Sequence, residues 1–118
     1  MRRRLLHETE CVIPLNVNLI NDTYRDYYLD KDGNPQSFTA YGNRTGYIPV
    51  KDTQKYVIYC NSSWVPAYIH CYDFDENHIG AVAFVSNKDT EIVPLNGTFY
   101  VMFWGLNVAG DAYFKRIA

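Results

Sequence analysis

The sequence predicts an all-β domain, a sandwich or barrel of short strands. No long segment has apolar residues at helical spacing, and turn-forming groups of Gly, Pro, Asn and Asp recur about every 8 to 12 residues. The 118 residues include 11 Tyr, 6 Phe and 2 Trp. Aromatic residues are enriched in strands and in interfaces, so the composition agrees with the spacing of the turns.

The clearest strand covers residues 98–104. The turn dipeptide Asn96-Gly97 precedes it and Gly105 ends it. Side chains alternate along a strand, so this one has two apolar faces, with Phe99, Val101 and Phe103 on one and Tyr100, Met102 and Trp104 on the other. We expect the first face to line the core. The second must be covered by more of this chain or by a partner.

The other strands are predicted from alternation and from the turns between them. They are expected at residues 11–20, 24–29, 55–60, 67–72, 79–85, 91–95 and 112–117. Pro14 interrupts the first of these, which favours an edge strand or a bulge. Residues 30–34 have strong turn chemistry. One domain, residues 11–118, is therefore predicted behind an N-terminal arm, residues 1–10.

The arm carries the only basic cluster, Arg2, Arg3 and Arg4, followed by Leu5 and Leu6. No apolar run long enough for a signal peptide or a membrane span follows, so we expect neither. The net charge of −2 argues against a general nucleic-acid binder. These five residues are predicted to contact a partner, and a solvated arm is the alternative.

The three cysteines, Cys11, Cys60 and Cys71, are odd in number and lack C-x-x-C spacing. This pattern disfavours a disulfide framework or a zinc site. Buried free thiols in a reducing compartment are expected.

Three segments carry a resemblance to a known family. They are Thr45-Gly-Tyr-Ile-Pro-Val-Lys-Asp-Thr-Gln-Lys-Tyr-Val-Ile58, Tyr68-Ile-His-Cys-Tyr-Asp-Phe-Asp-Glu-Asn-His-Ile-Gly80 and Asn96-Gly-Thr-Phe-Tyr-Val-Met-Phe103. Together they resemble a jelly-roll domain of bacteriophage tail and virion-appendage proteins, which is similar to galactose-binding-like carbohydrate-binding modules. The resemblance implies an antiparallel β-sandwich and no catalytic residues. The family's module usually sits inside a longer chain, whereas here it makes up most of the sequence.

An aromatic surface is the main candidate for binding. If the strands at residues 67–72 and 98–104 are neighbours, Tyr68, His70 and Tyr72 share a face with Tyr100, Met102 and Trp104. Such a face suits a protein interface or the apolar side of a sugar ring, and packing within the fold is the structural alternative. Trp64, predicted in a loop, adds to it. The candidate ligand-binding residues are Trp64, Tyr68, Tyr72, Tyr100 and Trp104.

A calcium loop at residues 30–34 is not favoured. Asp30, Asp32 and Asn34 have the required spacing, but the sixth and twelfth positions hold Pro35 and Tyr41 in place of Gly and Glu. A plain turn is the preferred interpretation. We predict no metal site and no cofactor.

No catalytic constellation is evident either. His7, His70 and His78 are not accompanied by a nucleophile motif. Asp73, Asp75 and Glu76 could gather a hard cation, and here too a turn is preferred. We therefore do not expect an enzyme.

The sequence leads to two hypotheses. The first is a non-enzymatic bacteriophage structural protein, a virion subunit assembled in the bacterial cytoplasm. It would decorate or join the capsid or tail, binding other virion proteins or copies of itself through the arm and the aromatic surface, with no nucleic-acid or membrane partner. The alternative is a module for carbohydrate or host-receptor binding, with a host surface glycan as its ligand.

Overall fold

The computed structural model describes residues 12–37, 42–62 and 67–118, and in this part the protein is all-β. Its strands are β1 (Thr23–Tyr24), β2 (Tyr28–Leu29), β3 (Pro35–Gln36), β4 (Asn43–Thr45), β5 (Ile48–Pro49), β6 (Lys55–Tyr59), β7 (Ala67–Tyr72), β8 (His78–Phe84), β9 (Thr90–Ile92), β10 (Tyr100–Met102), β11 (Trp104–Gly105) and β12 (Tyr113–Ile117). These residues contain no helix that is long and apolar enough to cross a membrane. The predicted arm, residues 1–10, lies outside the described residues.

The strands form several antiparallel sheets. One has four strands in the order β5-β10-β7-β8, and another has three in the order β12-β6-β9. A smaller sheet has the order β1-β4-β11, and β2 pairs with β3. The predicted strands at 55–60, 67–72, 79–85 and 112–117 are confirmed to within about two residues, as is usual for element ends.

The main core draws side chains from the four-stranded sheet and from the sheet β12-β6-β9. Tyr56 and Ile58 of β6 and Cys60 beyond it are fully buried, as their alternation predicts. Val101 and Phe103 approach from the other side and are also fully buried. Each such aliphatic or aromatic side chain contributes roughly 1.5 to 3 kcal/mol on burial, so this core supplies most of the stability.

A second, smaller cluster covers the other face of β10 and β7. Leu29, Tyr72 and Met102 are buried together, with Tyr27 and Tyr100 packed against them. Leu29 and Tyr27 come from residues 23–36, which hold β1, β2 and β3 and which we call the cover segment. The second apolar face is therefore covered by the chain itself.

The strand predicted at 98–104 is interrupted at Phe103. Its amide donates to Thr45 Oγ1 and its carbonyl accepts from the Thr45 amide, so the chain passes at this point from β7 to β4. Trp104 consequently lies in a different sheet from Tyr100. Phe99, expected in the core, is only partly buried and packs edge-on against Phe74.

The prediction of a strand at residues 11–20 was wrong. Residues 12–20 form one isolated bridge, from Leu15 to Arg116, and otherwise run beside β12 through hydrogen bonds such as that from the Leu19 amide to the Phe114 carbonyl. Pro14 has no amide hydrogen to donate, and Asn16 adopts a φ of 59°. Both features prevent a regular ladder.

Two loops share one design, D-x-D-x-N, at residues 30–34 and 73–77. In each, the first aspartate accepts hydrogen bonds from the amides two and four residues later, at 2.9 Å. The fourth residue has a positive φ, 82° at Gly33 and 66° at Glu76. The turn predicted at residues 30–34 is therefore confirmed.

Candidate interaction surface

The structure brings most of the predicted aromatic residues to one face. Strand β7 is the neighbour of β10, with Tyr72 opposite Tyr100 and His70 opposite Met102. Tyr68 has the same parity on β7 and shares that face. Trp104 pairs instead with Arg44 of β4 and packs at 5.9 Å from the Tyr28 ring. Trp64 and the residues Arg2, Arg3, Arg4, Leu5 and Leu6 lie outside the described residues.

Burial separates these residues into two groups. Tyr72 is only 5% exposed and is part of the second hydrophobic cluster. Tyr68, Tyr100 and Trp104 are half-buried. Tyr72 thus supports the surface from beneath, and the other three have edges that a partner could reach.

Arg44 lies at the rim of this face and contacts several residues there. Its Nε and Nη2 donate to the two carboxylate oxygens of Asp26 at 2.8 and 2.9 Å, and Nη1 donates to the Thr45 carbonyl at 3.1 Å. The guanidinium carbon lies 4.4 Å from the Tyr24 ring centre and 4.1 Å from that of Tyr27. Two-point carboxylate binding and stacking on aromatic rings are both specific to arginine. One side chain of β4 therefore holds three residues of the cover segment.

Two further tyrosines, Tyr47 and Tyr100, continue the rim beyond Arg44. The Tyr47 ring meets the Tyr72 ring edge-on at 5.0 Å and the Tyr100 ring at 6.0 Å, while Tyr47 itself is 40% exposed. Tyr24 is 41% exposed. We call Tyr24, Tyr27, Tyr47, Tyr100 and Arg44 the tyrosine surface. Tyrosine and arginine are enriched at the energetic centres of protein interfaces.

The titration of this surface follows from its packing. The hydrogen bond from Arg44 holds the pKa of Asp26 below its ordinary value. Burial raises the pKa values of Tyr27, Tyr47 and Tyr72. Around neutral pH Tyr27, Tyr47 and Tyr72 therefore carry neutral hydroxyl groups, close to the charged pair of Arg44 and Asp26.

A pair of histidines lies where the cover segment meets β8. His70 Nδ1 is 2.9 Å from His78 Nε2, and His70 also hydrogen-bonds the Asp30 backbone. Desolvation by burial, followed by the effect of His78, lowers the pKa of His70 to about 4. His70 is therefore neutral at physiological pH and acts as a hydrogen-bonded link between the sheet and the 30–34 loop.

Among the described residues, no three His, Cys, Asp or Glu side chains are placed to hold a metal ion. The carboxylates of Asp30 and Asp73 accept hydrogen bonds within their own loops. Cys60 and Cys71 are buried free thiols, as predicted, and Cys11 lies outside the described residues. Burial raises the pKa of Cys60 to about 12, so its thiol remains protonated.

In comparisons with protein families, curated proteins and solved structures, the chain matches none.

The sequence did not predict four members of the tyrosine surface, namely Arg44, Tyr24, Tyr27 and Tyr47. Arg44 stands in a polar stretch and Tyr24, Tyr27 and Tyr47 stand in or near turns, so no periodic pattern connects them. The excess of tyrosine was the available signal. The pairing of β4 with β1 and β11 then decides which tyrosines meet.

Proposed function

We propose that this protein is a non-enzymatic structural subunit of a bacteriophage particle, attached to the capsid or the tail. In this proposal the domain is a jelly-roll β-sandwich of the galactose-binding-like kind. The support for a phage protein is the sequence resemblance of residues 45–103. The arm and the tyrosine surface would bind neighbouring virion proteins.

The observation that carries the interaction role is the tyrosine surface itself. Its residues are fixed by packing against Tyr72, Met102 and Asp26, while Tyr24 and Tyr47 keep about two fifths of their area exposed. Rigid aromatic side chains lose little conformational entropy on binding, so they make efficient interface contacts. A structural subunit needs such a surface and no reactive group.

A carbohydrate or host-receptor module is the second candidate. The observation in its favour is that Tyr68, Tyr100 and Trp104 are half-buried aromatic residues, the first two on the paired strands β7 and β10 and the third on β11. Aromatic rings of this kind can stack on a sugar ring. The burial of Tyr72 reduces the area available to a glycan. We therefore rank this function below the structural one.

The experiment is to follow the chain through particle purification. An antibody against the domain would be used on density-gradient fractions from producing cells, for the full chain and for a variant lacking residues 1–10. We expect the full chain to sediment with DNA-filled particles, and the shortened chain to be depleted from them by about tenfold, the loss expected when an energetically important contact is removed. Recovery of the full chain only as free protein would refute the virion role.

A control separates the arm's sequence from its length. Replacing Arg2, Arg3 and Arg4 by serine keeps the length and removes the charge. One outcome is that the serine variant enters particles at the same level as the full chain while the chain lacking residues 1–10 does not. In that case the contacts of the arm are apolar. Equal incorporation of all three proteins would remove the arm from the proposal. A glycan array would test the second candidate, and binding that disappears in Trp104→Ala would support it.

A further inference from the structure

The edge strand β8 is unlike the other outer strands of this fold. It has seven residues and pairs, among the described strands, only with β7. From Ile79 to Val85 the sequence contains no charged residue and no proline. Proteins usually protect such edges with charges, prolines or short strands, because an open edge pairs readily with another strand.

The remaining described edges of the two larger sheets have that protection. Strand β9 has three residues with Glu91 at its centre, and β5 has two residues and ends in Pro49. Strand β12 carries Lys115 and Arg116 and is flanked by residues 15–19. The bulge between Cys71 and Tyr72 disturbs β8 only at its first residues and leaves Gly80 to Phe84 in regular pairing.

Exposed apolar side chains flank the open edge. Ile79 is 40% exposed and Val85 is 56% exposed, one on each side of the regular part of β8. Val93 is also exposed, and Leu95 packs over Gly80. The open backbone and the apolar patch therefore belong to the same rim of the molecule.

We propose that β8 pairs with β8 of a second copy of this chain, antiparallel and about a twofold axis at Val82. This register places Ala81 opposite Ala83 of the other copy and Gly80 opposite Phe84, so the pairing uses the regular part of β8. The exposed side chains of Ile79 and Val85 lie just beyond the two ends of that part. The strand is uncharged, so it meets its own copy without repulsion, and the two four-stranded sheets become one eight-stranded sheet.

This pairing does not depend on the proposed virion role. The isolated chain can form the dimer whether or not it enters particles. A failure to dimerise would appear in sedimentation of the purified chain, and a failure of the virion role would appear in particle purification. The contact differs from the tyrosine surface, since β8 lies at the edge of the sheet and Arg44 lies on β4.

The first test is sedimentation of the purified full chain over a range of concentrations, with the variant Ala83→Lys. Ala83 is exposed and lies in the regular part of the strand, so each copy of the variant places a charge in the apolar contact. We expect the wild type to dimerise and the variant to dissociate at least about tenfold more readily. Ala109→Lys, at an exposed position in the turn before β12, is the matched control and should dimerise like the wild type.

The second test fixes the register. The double variant Ala81→Cys/Ala83→Cys should form a covalent dimer with oxidised glutathione, because directly opposed residues lie within disulfide distance. Either single variant should crosslink at least about tenfold less, because its cysteines are only diagonal neighbours, with Cβ atoms roughly 7–8 Å apart. A wild type that is monomeric throughout, a dimer unaffected by Ala83→Lys, or equal crosslinking of single and double variants would each overturn the proposal.

Discussion

Arg44 holds the cover segment in place through one guanidinium group. It binds both oxygens of Asp26 and stacks on Tyr24 and Tyr27, yet only 12% of its side chain is exposed. Lysine keeps the charge but cannot make the two-point contact or the planar stacking. The specific chemistry of arginine, and not its charge alone, is therefore required.

Arg44→Lys is expected to lower the free energy of unfolding by about 1 to 2 kcal/mol, from the lost charged hydrogen bond and the weaker stacking. Urea denaturation at pH 7 measures this. Arg25→Lys is the matched control, because Arg25 is exposed, and it should change stability by less than about 0.5 kcal/mol. Equal effects of the two substitutions would contradict the role of Arg44.

His70 makes stability depend on pH. Its pKa is about 4 in the folded protein and 6.5 ordinarily, so between these values the unfolded chain binds a proton that the folded chain does not. The contribution of neutral His70 to the free energy of unfolding is therefore fully present above pH 6.5. It is lost as the pH falls toward 4, by about 3 kcal/mol in total.

His70→Gln should flatten this pH dependence. Unfolding in urea would be compared at pH 7 and pH 4.5 for the wild type and the variant. We expect the variant to be less stable than the wild type at pH 7 and to lose less stability on acidification. The same loss in both proteins would show that His70 does not cause the acid sensitivity.

At the scale of elements, the cover segment depends on a close contact of the 30–34 loop. Gly33 has a φ of 82°, and a side-chain carbon built there would lie 2.4 Å from the His78 ring. Gly33→Ala would therefore suffer both an unfavourable backbone conformation and a clash with His78. We expect it to lower the free energy of unfolding by about 2 kcal/mol. Gly110→Ala is the control, because its nearest neighbour would be 3.7 Å away. Thermal unfolding of both variants measures the difference, and equal melting temperatures would contradict the packing described for this loop.

Leu29 anchors the same segment from beneath. It is 6% exposed and packs with Tyr72 and Met102. Leu29→Ala should cost about 2 to 4 kcal/mol, and hydrogen exchange should quicken first in residues 23–36. Leu106→Ala, at a site 39% exposed, should have a small effect. Uniform quickening across the core strands, with no preference for the cover segment, would contradict this account.

The sequence predicted the long strands better than the short ones. Strands β6, β7, β8 and β12 have regular alternation or apolar runs and clear turns on both sides, and their positions were predicted closely. Strands β1 to β3 have two residues each, too few to set a period. The interruption at Phe103 depends on Thr45, which is 58 residues away, so no local pattern could indicate it.

The same distinction applies to the candidate surface. The alternation along β10 predicted two apolar faces, and the pairing of Tyr72 with Tyr100 followed from β7 and β10 being neighbours. What covers the second face was not predictable, because Leu29 reaches Tyr72 only through the tertiary fold. The contacts of Arg44 were not predictable for the same reason, because its partners Asp26 and Tyr27 lie in a distant turn of the chain.

At the scale of the whole molecule, one apolar face of the four-stranded sheet contributes to the main core and the other is closed by the cover segment. The tyrosine surface lies on the rim of that cover, and the open edge of β8 belongs to the four-stranded sheet. We propose that the tyrosine surface holds the protein in a larger particle.

Competitive incorporation tests that claim most directly. Cells producing the particles would express wild type and the variant Tyr24→Ala/Tyr47→Ala in equal amounts, and quantitative mass spectrometry would give their ratio in purified particles. With melting temperatures first shown to be similar, we predict that the wild type exceeds the variant by about tenfold or more. A control with Val17→Ala, at a site 50% exposed, should incorporate equally. A ratio near one for Tyr24→Ala/Tyr47→Ala would contradict the claim.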